Sequence, residues 1–257
     1  MNRFFGMSAM RAILILGVMA LLGLSSLYAT PITGRLIMNG TTLVGVDFNT
    51  VDFNYSGSGA ASATTTGSFL VGFGSTQTFA PLVGTSGTVH SFDRAEVPVG
   101  ATVSFNNFIT LPNIDIIMTE LIPGSFGSSQ CTLAPAPGQT CTPAIPGGSA
   151  IELSNSSNGT GGINSHAQFN VDVTAKNTLT GELSTGVGTF SADFSNESYQ
   201  QLLATIQGGG VVTSGHHGDF TITFNQVPEP ATSSLALLGG LLVLLGRVGI
   251  RRFNRNR

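Results

Sequence analysis

The feature that most constrains the fold is an alternation of apolar and polar residues through the middle of the chain. In AQFNVDVTAK (167–176), Phe169, Val171 and Val173 fall on one side and the polar residues between them on the other. The segments GTFSADFS and DFTITFNQ repeat the pattern. Successive side chains of a strand point to opposite faces of a sheet, so this alternation predicts antiparallel strands with one face buried and one in solvent.

Further segments carry the same signal and are separated by short turns. They are 35–39, 42–55, 67–73, 87–93, 101–111, 114–122 and 149–155. Within 42–55 the apolar phase slips between Phe48 and Val51, which predicts a bulge or tight turn at Asn49 and Thr50. About ten strands at this spacing predict an all-β domain, an antiparallel β-sandwich or jelly roll.

One segment, NESYQQLLATIQGGG, departs from the alternation because its apolar residues recur at helical spacing. Asn196 is placed to cap the start of a helix and Gly208 to end it. We therefore expect one short helix, lying against an end of the sandwich.

The N-terminus carries the three parts of a secretory signal peptide. A basic region that ends with Arg11 precedes an apolar run over 12–24 and small residues up to Ala29. We predict cleavage after Ala29, so that 1–29 is the signal peptide and 30–226 the exported domain. The alternative, a permanent anchor, is disfavoured because the apolar run is shorter than the ~20 residues that a membrane span needs.

The charge of the body is strongly negative. Between Thr30 and Val227 the cations are Arg35, Arg94 and Lys176, against twelve carboxylates, which gives a net charge of −9. The net charge of the whole chain is only −3 because the two ends are rich in arginine. A body this acidic is not expected to bind nucleic acid or anionic lipid electrostatically.

The two cysteines, Cys131 and Cys141, lie within the Pro- and Gly-rich segment 122–149. In an exported chain, a close pair predicts a disulfide. The alternatives are a zinc site, which would need two further ligands nearby, and a redox pair, which is usually spaced C-x-x-C. The sequence therefore favours a structural disulfide that closes a surface loop.

Metal ligands are scarce. The chain has four histidines, at His90, His166, His216 and His217. The adjacent pair in GHHGD is the one cluster with the character of metal ligands, but neighbouring residues of a strand point to opposite sides, which favours an exposed turn.

Asp93 and Glu96 are candidates for a calcium loop, yet no calcium-loop spacing surrounds them, which favours a solvated loop. We predict no metal and no cofactor.

No catalytic motif emerges from the sequence. It contains no G-x-S-x-G, H-E-x-x-H or phosphate-binding glycine loop, and its carboxylates are too isolated to nominate a glycosidase pair. The absence of Trp weakens a carbohydrate-binding interpretation, although Tyr and Phe can supply flat platforms. We therefore predict no catalytic residues.

The C-terminus, residues 227–257, combines three features in a fixed order. Pro228-Glu229-Pro230 precedes an uncharged, mostly apolar run over 231–246. As a helix that run is about 24 Å long, and extension to Ile250 reaches the ~30 Å of a bilayer core. The clustered cations that follow disfavour a buried core helix, and they keep this end cytoplasmic and the body outside. They are Arg247, Arg251, Arg252, Arg255 and Arg257.

This order of motif, apolar run and arginines resembles the PEP-CTERM protein-sorting domain, and the resemblance is confined mainly to these residues. It implies a substrate of exosortase, a membrane cysteine transpeptidase-like enzyme of Gram-negative bacteria. It further implies Pro228, Glu229 and Pro230 as the recognition motif, 231–246 as a transmembrane helix and the arginines as a retention signal. The prolines would hold the motif extended and open to an enzyme.

We therefore expect an exported, non-enzymatic surface or extracellular-matrix protein of a Gram-negative bacterium. Its precursor would be anchored in the inner membrane, and its mature form would lie in the periplasm, on the outer surface or in the matrix. The expected partners are an exosortase-type enzyme, the membrane and exopolysaccharide, with no nucleic acid. The alternatives are a carbohydrate-binding or adhesive module carried by the same tail, and a hydrolase with an unrecognised site.

Overall fold

The computed structural model describes residues 31–224, so the predicted signal peptide (1–29) and the predicted sorting tail (227–257) lie outside the described residues. A 3-10 helix, Gln77–Leu82, and helix α1, Tyr199–Gln207, interrupt a series of strands. The strands are β1 (Gly34–Gly40), β2 (Val44–Val46), β3 (Thr50–Asp52), β4 (Thr66–Val71), β5 (Ser86–His90), β6 (Phe92–Asp93), β7 (Thr102–Leu111), β8 (Ile114–Leu121), β9 (Thr140–Cys141), β10 (Glu152–Ser157), β11 (Ile163–Asn177), β12 (Leu183–Phe194), β13 (Val212–Ser214) and β14 (His217–Thr223).

Eight of these strands close into an antiparallel barrel. Their order is β12-β14-β1-β4-β5-β7-β8-β11, and β11 pairs with β12 to complete the ring. The all-β, antiparallel prediction is confirmed, whereas the prediction of a sandwich or jelly roll is wrong. Alternation shows that one face of each strand is buried, but it does not show whether that face meets a second sheet or the inside of the same curled sheet.

Strand β11 is long enough to pair with two strands, one after the other, along one of its edges. Its first half pairs with β10, from Glu152↔Gln168 to Ser157↔Ile163. Its second half pairs with β8, and the register shifts between Asp172 and Val173. Bulges of this kind bend and twist a strand, which helps a sheet to curl. Strands β10 and β9 therefore extend the wall beyond the ring.

Aromatic rings fill the inside of the barrel. The Phe190 ring on β12 packs against Phe53, Phe108, Phe169 and Phe220, with ring centroids 5.0 to 5.6 Å apart. The barrel has room for the Phe220 ring because Gly188 faces it, where a Cβ atom would lie 2.1 Å from Phe220 Cε1. Offset and edge-to-face rings at these separations stabilise a core beyond the burial of their area.

Different elements cover the two ends of β1. At its start the 3-10 helix brings in the buried Phe79, and Thr33 N donates to Thr78 Oγ1 at 3.1 Å. Beyond its end lies a second sheet of four strands, ordered β13-β2-β3-β6. In this sheet a tight turn joins β2 to β3, as predicted, and Asp47 Oδ1 accepts from the backbone N–H of Asn49 and Thr50.

The predicted helix is present as α1 and contacts β10, β11 and β13. Ser198, not Asn196, is its N-cap: Ser198 Oγ accepts from Gln201 N, while the Gln201 side chain accepts from Ser198 N. A Ser with Gln three residues later forms this reciprocal capping box, which Asn196 lacks. Gly208 ends the helix as predicted. Within 31–224 no helix combines the length and apolar character needed to cross a bilayer.

The predicted disulfide joins Cys131 to Cys141, with the Cα atoms 5.2 Å apart. It ties the Pro-rich loop to β9. Around Cys141 lies a small cluster of buried residues, Leu153, Tyr199 and Leu203, which is separate from the barrel core. The Tyr199 hydroxyl also donates to the Gln130 carbonyl at 3.0 Å. The disulfide therefore supports the contact between the loop and α1 rather than the barrel.

We predict that replacing both cysteines by serine leaves the barrel folded but loosens this contact. Closing so short a loop removes about 3 kcal/mol of denatured-state entropy, so urea unfolding should show a loss of that order. Hydrogen exchange should accelerate in α1 and β9 and not in β1 or β4. Two reactive thiols in the denatured, unreduced wild-type protein would contradict the account.

Candidate functional site

The site residues predicted from the sequence do not come together in one place. The PEP motif, Pro228-Glu229-Pro230, and the arginines of the tail lie outside the described residues. Of the residues that the structure describes, no three His, Cys, Asp or Glu side chains group so as to hold a metal ion. The candidate calcium ligand Asp93 instead shapes its own loop, since its Oδ1 accepts from the backbone N–H of Ala95 and Glu96 at 2.8 and 2.9 Å.

A buried carboxylate that the sequence analysis missed, Glu152, has a structural role. Its Oε1 accepts from the N–H and the hydroxyl of Ser125, and its Oε2 accepts from the Gln168 amide at 2.8 Å. Burial would raise the pKa of Glu152, but the hydrogen bonds from Ser125 and Gln168 outweigh it and the pKa lies below its ordinary value. The carboxylate therefore fastens the Pro-rich loop to β10.

His216 is the main correction to the site prediction. An exposed turn was expected, yet His216 is only 2% exposed, while its neighbour His217 is exposed on the outer wall. The two side chains point to opposite sides, and the inner side here is the core. The imidazole packs edge-on against Phe53 with centroids 5.1 Å apart, and it covers Gly40, where a Cβ would lie 2.4 Å from its Cε1.

Neither ring nitrogen of His216 has a hydrogen-bond partner. Burial, with a smaller contribution from the neighbouring His217, lowers the pKa of His216 from 6.5 to about 4. The backbone of Thr42 raises the pKa in part, although its carbonyl is outside normal hydrogen-bond geometry to the ring. At neutral pH the imidazole is therefore uncharged, with one donor and one acceptor unused.

His216 lines a cavity of about 100 Å³ between the four-stranded sheet, helix α1 and the end of the barrel. The wall of this cavity is almost wholly apolar. Its lining includes Val51, Phe53, Phe190, Leu202 and Val212. Ligand sites are typically concave and apolar with few polar groups, and this cavity has that character on a small scale.

Arg94 closes the rim of the cavity. Its guanidinium donates to the backbone carbonyls of Phe48 and Gly148 at 3.4 and 3.0 Å, and also to that of Pro146. These carbonyls belong to the β2–β3 turn and to the segment that leads into β10. One side chain thus holds together the two chain segments that border the cavity.

A second concave surface lies on the outside of the barrel, across β1, β14, β12 and β11. This outer groove has a volume of about 690 Å³. Arg35 Nε donates to Asp219 Oδ1 at 2.8 Å on its floor. The pair is exposed, so it adds little to stability. The other hydrogen-bonding side chains that line the outer groove include His166, Gln168, Thr189, Ser191, His217 and Thr221.

Comparisons with protein-family models, with curated proteins and with solved structures find no match for this chain. Two concave features within residues 31–224 are candidate binding sites: the apolar cavity with His216, and the polar outer groove.

We predict that His216 makes the protein sensitive to acid. Its folded-state pKa is about 4, below the ordinary 6.5. Between these two values the imidazole is protonated in the unfolded chain and neutral in the folded chain. The stability from this group is fully present above pH 6.5 and is lost as the pH falls through 4, by roughly 3 kcal/mol. Urea unfolding at pH 7 and pH 4 should therefore show a smaller loss for His216→Phe than for the wild type. His217→Gln is the matched control, and equal losses in all three proteins would refute the assignment.

Proposed function

We propose that this protein is an exported, non-enzymatic surface or extracellular-matrix protein sorted by a PEP-CTERM-type signal at its C-terminus. The observation that carries the proposal is the Cys131–Cys141 disulfide, formed with no free cysteine in the described part of the chain. Disulfides persist in oxidising compartments such as the periplasm and the cell exterior. The pairing therefore supports the export that the N-terminal sequence predicts.

The charges of the chain support export of the body, with the C-terminal end left in the cytoplasm. The body between Thr30 and Val227 has a net charge of −9, whereas five arginines follow the apolar run of the tail. Cationic ends of membrane spans stay in the cytoplasm, so the acidic body would face outward. The prolines of Pro228-Glu229-Pro230 favour an extended conformation between body and span, which an exosortase-type enzyme could reach.

The closed barrel suits a surface or matrix protein because it limits aggregation between copies. The eight strands of the ring have no free edge, and the sheet that contains them ends at the two-residue strand β9; free edges are where β-proteins aggregate. The buried carboxylates also serve the structure: Glu152 fastens the Pro-rich loop, and Asp52 accepts from Asn54 N and Ser62 N at 3.0 Å. These acidic groups stabilise loops rather than face an open cleft.

A second candidate function, carbohydrate binding or adhesion, is favoured by the outer groove. Its floor combines charged, amide, hydroxyl and imidazole side chains on adjacent strands. Such groups exchange hydrogen bonds with water for hydrogen bonds with sugar hydroxyls. The exopolysaccharide around a surface protein would be the natural ligand of this groove.

We predict that the mature protein lacks its arginine tail. Intact-mass measurement should place its C-terminus near Pro228-Glu229-Pro230 in a host that has exosortase. Replacing the triplet with three alanines should leave export unchanged and cause the full-length form to accumulate in the inner membrane. Changing Arg247, Arg251 and Arg252 to Gln should instead weaken orientation and retention, because the cationic end sets the topology. An intact C-terminus in the mature wild-type protein would contradict the sorting proposal.

For the carbohydrate alternative, a glycan array probed with the mature protein is the direct test. The alternative predicts that Thr221→Ala with His217→Ala, two exposed residues of the groove, weakens binding about tenfold or more, which corresponds to the loss of roughly one good hydrogen bond. Thr102→Ala, an exposed change on a different part of the wall, is the matched control. A binding profile that the groove variant leaves unchanged would remove the groove from consideration.

A further inference from the structure

Phe73 is the most exposed large apolar side chain in the described part of the chain, at 90%. It lies on the turn that follows β4, and backbone hydrogen bonds fix this turn to β1. Gly72 N donates to the Ile37 carbonyl at 2.8 Å, and Thr76 N donates to the Arg35 carbonyl at 2.9 Å. An aromatic ring on a fixed turn is a typical binding anchor, because little conformational entropy is lost when it binds.

The turn with Phe73 borders the outer groove at β1. Ile37 lines the groove, and the residues on both sides of Phe73 contact it. Gly72 does so through its hydrogen bond, and Gly74 lies so close that a Cβ would be 3.0 Å from Ile37 Cδ1. A ligand that lies over Ile37 is therefore within reach of the Phe73 ring.

Glycines lie beneath the floor of the outer groove. Gly188 on β12 and Gly218 on β14 face the core, where Cβ atoms would lie 2.1 Å from Phe220 Cε1 and 3.0 Å from Met38 Sδ. The wall can therefore lie close to the core here, while side chains of the neighbouring positions project outward. The groove crosses four strands, about 14 Å from β1 to β11, which suits an extended ligand better than a single small molecule.

The charges in the groove are paired with each other. The Arg35 guanidinium donates twice to the Asp219 carboxylate, and His166 Nδ1 lies 2.8 Å from Asp193 Oδ1. The Arg35–Asp219 pair leaves further N–H donors beside further acceptor lone pairs. Sugar hydroxyls both donate and accept, so they complement this pair. An acidic ligand would instead meet a carboxylate on a body with a net charge of −9.

We propose that the outer groove binds a neutral oligosaccharide, one sugar ring of which stacks on Phe73. The hydroxyls of the adjoining sugars form hydrogen bonds with the Arg35–Asp219 pair and with the exposed His217 and Thr221. The C–H groups of a sugar ring are slightly positive and meet the negative face of the Phe73 ring. Phe73 is thus the flat platform in a chain that has no Trp. The proposal deepens the second candidate function, carbohydrate binding, and rests on it.

The test titrates the full-length protein with the neutral sugars cellohexaose, maltohexaose and mannohexaose. Each is compared with a counterpart of the same linkage in which the primary hydroxyls are oxidised to carboxylates. Calorimetry should show saturable binding of at least one neutral sugar, with a Kd on the order of 1 mM or tighter. Its oxidised counterpart should bind about tenfold more weakly, because of repulsion from Asp219 and the acidic body.

Variants separate the aromatic platform from the charged pair. Phe73→Ala should weaken binding of the neutral sugar about fivefold through the loss of one stacking contact, whereas Phe73→Tyr should retain it. Leu179→Ala, which removes another exposed apolar side chain at the tip of the β11–β12 hairpin, is the matched control. Asp219→Asn should shift the preference toward the oxidised sugar, because Arg35 then lacks its carboxylate. Both changed side chains are exposed, so the variants should fold.

The outcomes distinguish this proposal from the function on which it rests. If Thr221→Ala with His217→Ala weakens binding but Phe73→Ala does not, carbohydrate binding in the groove stands and the proposal is overturned. If none of the neutral sugars binds, the proposal is overturned, and an empty glycan array would remove carbohydrate binding as well.

Two further results would overturn the proposal. One is equal or tighter binding of the oxidised sugars to the wild-type protein. The other is a wild-type dimer that Phe73→Ala converts to a monomer, which would assign this face to a second copy of the chain. Weaker neutral binding in Phe73→Ala together with the shifted preference of Asp219→Asn would support the proposal.

Discussion

The structure depends on the pairing of β11 with β12, because this pairing turns a curled sheet into a ring. Twelve residue pairs join the two strands, from Ser165↔Phe194 to Lys176↔Leu183. The same hairpin brings Phe169 and Phe190 together as stacked rings with centroids 5.2 Å apart. Without it the aromatic interior would lie open, and two edge strands would be exposed to water and to other chains.

The properties of the candidate site follow from how one end of the barrel is covered. The four-stranded sheet covers this end with side chains that meet the barrel core, and Phe53 reaches in to contact Phe190. Between this cover and helix α1 the packing leaves the cavity that His216 lines. Arg94 fixes the rim through backbone carbonyls, so the shape of the cavity depends on one side chain that joins two loops.

The local elements were readable from the sequence, and their assembly was not. Alternation located β1, β7, β8, β11, β12 and β14, and the phase slip before Val51 located the β2–β3 turn, because these signals are local. The ring also needs pairs of strands far apart in sequence, such as β14 with β1. The burial of His216 was also readable, because this residue is in phase with the buried Phe220 and Ile222. Ser198 followed by Gln201 three residues later is likewise a local capping signal. The signal peptide and the sorting tail stay predictions.

Native-state hydrogen exchange tests the central claim most directly, since it reports the opening free energy of each strand. If closure by β11 and β12 holds the fold together, amides paired between these strands exchange only through global unfolding, together with those of β14 and β8. Strands β9 and β13 then exchange sooner, through local opening. Exchange of the β11–β12 amides by local opening, at lower free energy than those between β4 and β5, would contradict the account.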